Sequence, residues 1–74
     1  MAEYNGYPSW NAWNVSLWIN NDEGLYRFAQ SLVLTYGYDK GARELAHYLK
    51  GKKTLDGAPY SLRSIRLAIR GIID

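Results

Sequence analysis

Apolar and polar residues recur along this chain with a helical period rather than a strand period. The cleanest run is Leu25, Phe28, Ala29, Leu32, Val33 and Tyr36, at i, i+3, i+4, i+7, i+8 and i+11. Asp22 before it is a good N-cap, Glu23 suits the first turn through the helix dipole, and Gly37 is placed to end the helix as a left-handed cap. Upstream, Ser9 can cap a helix whose first turns carry Trp10, Trp13 and Leu17 at i, i+3 and i+7. Val15, Trp18 and Ile19 make this helix apolar beyond one stripe, which suits a central helix or one that shares a second face with a partner. Downstream, Asp39 is the expected cap of a third helix with Ala42, Leu45, Ala46 and Leu49 inward, and Gly51 closes it. Ser61 is the expected cap of a fourth, with Leu62, Ile65, Ile69 and Ile72 as its inner stripe.

The punctuation between these runs is short. Residues 1–8 read as an irregular arm: Asn5-Gly6 is a turn dipeptide, and Pro8 discourages helical geometry at Tyr7. Residues 52–60 read as a loop around Asp56-Gly57 and Pro59, with room for a short β-hairpin. There is no internal repeat and no low-complexity segment. The expected fold is all-α: one small domain over residues 1–74, about four short helices around one core. The last two helices are expected to be helix-turn-helix-like, with a short loop or hairpin between them.

Composition narrows the chemistry. At 74 residues the chain lies near the lower limit for folding without disulfides or a metal, and it contains no cysteine and a single histidine, His47. A zinc site of Cys and His, a thiol nucleophile and a disulfide framework are therefore not expected, and neither is any cofactor. Seven Tyr and three Trp supply large apolar surfaces from which so short a chain can build a core. No apolar run of signal or membrane length follows Met1, so a soluble, cytoplasmic protein with no membrane partner is expected. The segment Asn20-Asn21-Asp22-Glu23-Gly24 lacks the alternating oxygen ligands of a calcium loop, and helix capping accounts for it more simply. His47 has no evident nucleophile or orienting group, and reads as a surface or boundary residue.

Charge is unevenly placed. Residues 1–38 hold Arg27 against Glu3, Asp22 and Glu23, whereas residues 39–74 hold eight Lys and Arg against Asp39, Glu44, Asp56 and Asp74. On the last helix, Arg63, Arg66 and Arg70 fall at i, i+3 and i+7 and share one face, away from the Leu62/Ile65/Ile69 stripe. Lys50, Lys52 and Lys53 cluster at the C-terminal end of the third helix and the start of the loop, and could extend that face. Aligned guanidiniums suit phosphates or carboxylates, and the simpler alternative is a solvated helix face. Trp10 and Trp18 flank the main stripe of the first helix, where each is either core or an exposed docking residue.

Two resemblances add context. ARELAHYLKGKKTLDGAPYSLRSIRLAIRG, residues 42–71, resembles the helical DNA-binding region of large serine recombinases through Leu45, Ala46, Leu49, Thr54, Gly57, Tyr60, Ser61, Ser64, Ile65, Arg66 and Ile69. That likeness implies packing of the two C-terminal helices in a fold that contacts DNA. YNGYPSWNAWNVSLWINNDEGLYRFAQ, residues 4–30, resembles small bacteriophage and mobile-element proteins of unknown function. Their pattern is matched by Tyr4, Asn5, Gly6, Trp10, Trp13, Asn14, Val15, Leu17, Trp18, Ile19, Asn21, Asp22, Glu23, Gly24, Leu25 and Tyr26. This likeness implies a phage or prophage origin and names no reaction.

The functional expectation is a non-catalytic accessory protein acting in a bacterial host. Its expected partner is a host protein or ribonucleoprotein complex, in the manner of defence inhibitors such as anti-CRISPR proteins. The candidate partner-binding residues are Arg63, Arg66, Arg70, Lys50, Lys52, Lys53, Trp10 and Trp18. The alternative is a small DNA-binding protein that uses Arg63, Arg66 and Arg70 on nucleic acid. A third reading is a virion component whose Trp-rich helix is a subunit interface.

Overall fold

In a computed structural model, which describes residues 4–70 and 72, four helices surround one core: α1 Trp10–Asn21, α2 Glu23–Tyr36, α3 Tyr38–Tyr48 and α4 Leu62–Ile69. The expected caps of three helices form. Ser9 accepts from the Ala12 N–H at 3.1 Å, Asp22 from Leu25 at 3.0 Å, and Ser61 from Ser64 at 3.2 Å. Gly37 is both the C-cap of α2 and the N-cap of α3, at φ 85°, so a single residue joins the two helices. Asp39 is therefore not a cap. It lies in the first turn of α3, and its carboxylate reaches Arg66 on α4 instead.

The core consists of Val15, Ile19, Ala29, Val33, Ala42, Leu45, Leu49, Ala58, Ile65, Ala68, Ile69 and Ile72. The stripes expected for α2 and α3 largely hold, with Leu25, Phe28, Leu32 and Ala46 partly buried against this cluster. Tyr36, expected inward, is exposed at the end of α2. The α1 stripe is corrected more strongly. The face of α1 that is buried carries Ala12, Val15, Ser16 and Ile19, while Trp10 is exposed and Trp13 and Leu17 are only half-buried. The reason is close packing: α1 lies along α4, whose buried positions include Ser64 and Ala68, and small residues let two helices approach. The large indoles stay on the rim. On α4 the expected inner residue Leu62 turns outward, 37% exposed, and Ser64 and Ala68 share the inner face with Ile65 and Ile69.

Helices α2 and α3 also approach closely. A Cβ on Gly41 would lie 3.0 Å from the Leu32 carbonyl oxygen and from Val33 Cα, so a glycine fits there without displacing backbone.

The described part of the N-terminal arm is more ordered than expected. Tyr4 and Tyr7 exchange backbone hydrogen bonds at 2.7 and 2.8 Å across Asn5-Gly6, both at positive φ, as a type I′ turn requires. The turn folds back on α1: the Tyr4 ring lies 4.9 Å from that of Trp13, and the Tyr7 hydroxyl is 2.7 Å from Ser16 Oγ. Residues 1–3 of the expected arm lie outside the described residues.

Between α3 and α4 lie residues 49–61, a link that begins earlier than the expected loop of 52–60 because α3 ends at Tyr48, and it holds one antiparallel bridge, Lys53 to Pro59. This loop is clasped to α1 by a polar network. Asn14, 1% exposed, accepts from the Thr54 hydroxyl at 2.5 Å and donates to Asp56 Oδ2 at 2.8 Å. Trp18 Nε1 donates to the same carboxylate oxygen at 2.9 Å, and Thr54 Oγ1 accepts from the Ala58 N–H at 3.0 Å. Asn11 adds bonds to the Pro59 carbonyl and to Ser64 Oγ. The Asn14 and Trp18 donors hold the Asp56 carboxyl below its ordinary value, outweighing the smaller upward push of burial.

Candidate functional site

The arginines expected on one face of α4 do line one groove. Its walls are Tyr38, Leu62, Arg63, Arg66, Leu67 and Arg70, and it holds about 480 Å³. At about 100° per residue, positions 62, 63, 66, 67 and 70 fall in one arc of about 140°, and the buried positions 64, 65, 68 and 69 fall in the opposite arc. The N-terminal turn of α3 forms the second wall. The Tyr38 hydroxyl donates to the Arg66 carbonyl, and Arg66 Nη2 lies 2.6 Å from Asp39 Oδ1. These contacts fix the start of α3 against the middle of α4, although the ion pair is largely solvent-exposed and so worth little in stability. Among the described residues, Arg63 and Arg70 have no ion pair.

This face also carries apolar side chains. Two leucines, one of them 37% exposed, sit among three arginines and beside a tyrosine ring. Such a surface offers charge-assisted hydrogen bonds and apolar contact over the same few ångströms. The sequence reading missed Tyr38, Asp39, Leu62 and Leu67 as parts of this site. Leu62 lies four residues before Arg66, and Leu67 four after Arg63 and three before Arg70, and that spacing was the available signal.

The other candidates lie elsewhere. Lys52 lines a different groove with Asp22, Gly24, Leu25, Phe28, Tyr48 and Leu49. Lys50 and Lys53 are exposed, and neither lines the arginine groove. Trp18 is half-buried and engaged with Asp56, whereas Trp10, 41% exposed, stands at the first turn of α1. Neither indole borders the arginines. His47 is exposed near the end of α3. Among the described residues, no three His, Cys, Asp or Glu side chains converge as a metal-binding set would, and no helix is long and apolar enough to cross a membrane.

No curated protein and no solved structure matches the chain. A match to a family of unknown function spans residues 1–68, from the N-terminal arm through most of α4. The chain belongs to that family, DUF7249.

Proposed function

We propose that this chain is a non-catalytic accessory protein of a phage or mobile element, and that it binds a host protein complex through the outer face of α4. The observation that carries this reading is the placement of Leu62 and Leu67 among Arg63, Arg66 and Arg70 in one groove. A protein surface with acidic and apolar groups uses both kinds of side chain, whereas a phosphate backbone uses only the arginines. The link between α3 and α4, residues 49–61, also exceeds the three- or four-residue turn of a DNA-reading helix-turn-helix. The resemblance of residues 4–30 to phage proteins supports the origin. Interference with a host defence system is the role that this origin and a small binding module suggest together.

Affinity capture from a bacterial lysate, with and without nuclease, tests the reading, using wild type and Arg63→Glu/Arg66→Glu/Arg70→Glu in parallel. A discrete protein complex should be retained by the wild type whether or not nuclease is present. The triple variant should lose it while keeping its helical circular dichroism, since surface charge changes seldom unfold a domain. Retention of bulk nucleic acid, with affinity falling steeply as salt rises, would instead support the DNA-binding alternative. Equal capture by the triple variant would reduce the stripe to a solvated face.

A further inference from the structure

We infer that the α4 groove receives an acidic amphipathic segment of the partner protein, and that Asp39 is the chain's own competitor for the middle arginine of that site. The inference rests on the binding reading given above and names the element that would be bound. Three observations combine to support it.

The first is the order of charge along the groove. Arg63 and Arg70 flank Arg66 on one arc of α4, and of the three only Arg66 meets a carboxylate among the described residues, that of Asp39 at 2.6 Å. The site thus already displays its preferred chemistry, a carboxylate on a guanidinium, at one of three equivalent positions. The flanking positions are open to carboxylates from outside. The second is the apolar content. Leu62, Leu67 and the Tyr38 ring line the same groove, so a segment bearing only acids would leave this surface facing water. An occupant that places an apolar side chain between carboxylates fills both needs, and an amphipathic helix or extended strand presents that pattern. The third is the exposure of the internal ion pair. The Asp39 and Arg66 side chains are 64% and 45% exposed, so their contact is easily exchanged for one with an incoming carboxylate. Asp39 also places a negative charge beside the groove, which repels an acidic segment until Arg66 is shared or released. The tyrosine bond to the Arg66 backbone does not depend on that ion pair, so the groove wall survives the exchange.

The test uses the full chain and three fluorescent probes of equal length: a Glu-rich peptide with leucines at i and i+4, polyglutamate, and a DNA duplex. Anisotropy titrations at moderate salt should rank the leucine-bearing peptide first, about tenfold or more ahead of polyglutamate. Arg63→Gln/Arg70→Gln should weaken that peptide about tenfold or more. Leu62→Ser should weaken it and leave polyglutamate unchanged. Asp39→Asn should tighten it about two- to fivefold, the size of an exposed ion pair released for competition. Circular dichroism of each variant confirms that the helices persist. Equal binding of the two peptides, or preference for the duplex, would overturn the inference, as would no gain from Asp39→Asn. If Asp39→Asn changes nothing while the arginine variants still lose the captured complex, the binding reading stands and the competitor role fails. If the arginine variants bind both the peptide and the complex normally, both readings fall.

Discussion

Replacing Asn14 by alanine tests whether the clasp between α1 and the 49–61 loop holds the fold together. Asn14 is 1% exposed and Thr54 6% exposed, so water does not readily replace what either loses. The substitution removes one buried neutral hydrogen bond, worth about 1 kcal/mol net, and strands the Thr54 hydroxyl proton at a cost of about 1–3 kcal/mol. Thr54 keeps only the bond it accepts from Ala58, and Asp56 keeps only its Trp18 donor. The bond to the exposed Asp56 carboxylate is left out of the total, because solvent readily takes its place. The expected loss is about 2–4 kcal/mol, against a total stability of about 4–11 kcal/mol for a domain of this length. At about 4–8 °C per kcal/mol, thermal unfolding followed by far-ultraviolet circular dichroism should show a Tm lower by about 10–30 °C. A companion variant sharpens the test. In Thr54→Ser the hydroxyl keeps both its bonds, the one it donates to Asn14 and the one it accepts from Ala58, so stability should stay within about 1.5 kcal/mol of wild type. A fall of less than about 4 °C for Asn14→Ala would refute the reasoning. So would a Thr54→Ser variant that falls as far as Asn14→Ala, since the cost would then not come from a stranded polar group.

Two further outcomes follow from particular contacts. The Asp56 carboxyl titrates below its ordinary value in the folded chain, so its stabilisation is complete above the unfolded carboxylate range and is lost as pH falls through that range toward the lower folded value. The Tm advantage of wild type over Asp56→Asn should therefore shrink between about pH 7 and about pH 2, and a constant difference would exclude the assignment. Gly41→Ala should destabilise by about 1–3 kcal/mol despite alanine's better helix propensity, because the new Cβ meets α2 backbone, which cannot turn aside as a side chain can. A Tm equal to or above wild type would mean that α2 and α3 separate freely.

The parts of this fold that were legible in the sequence are those governed by local chemistry. Ser9, Asp22 and Ser61 cap helices because a short side-chain oxygen before an apolar run has few other uses. The α2 and α3 stripes were legible because one face of each helix is apolar and the other polar. The α1 face was misjudged because periodicity weighs large side chains most heavily, whereas α1 buries small ones, Ala12 and Ser16, and packs on a helix that buries Ser64 and Ala68. Leu62 was assigned inward because an apolar residue at helical spacing from Ile65 and Ile69 looks like core; its outward turn is what makes the arginine face a groove. Asp39 reads locally as a cap, and only the tertiary approach of α3 to α4 gives its carboxylate to Arg66. The clasp was the least legible feature. Asn14, Thr54 and Asp56 are unremarkable polar residues until the chain brings positions about forty residues apart into contact.

That separation also governs how the molecule can assemble. Helices α2 and α3 are joined by one residue and pack on each other, so their pairing closes almost no loop and carries little entropic cost. The first and last helices pack on each other as well, but their contact, like the Asn14–Thr54 bond, must close the whole intervening chain. No contiguous fragment can retain both pairings: removing either end leaves the central hairpin with one apolar side uncovered. Folding is therefore tied to the arrival of α4, which supplies at once the inner partner of α1 and the arginine groove on its outer side.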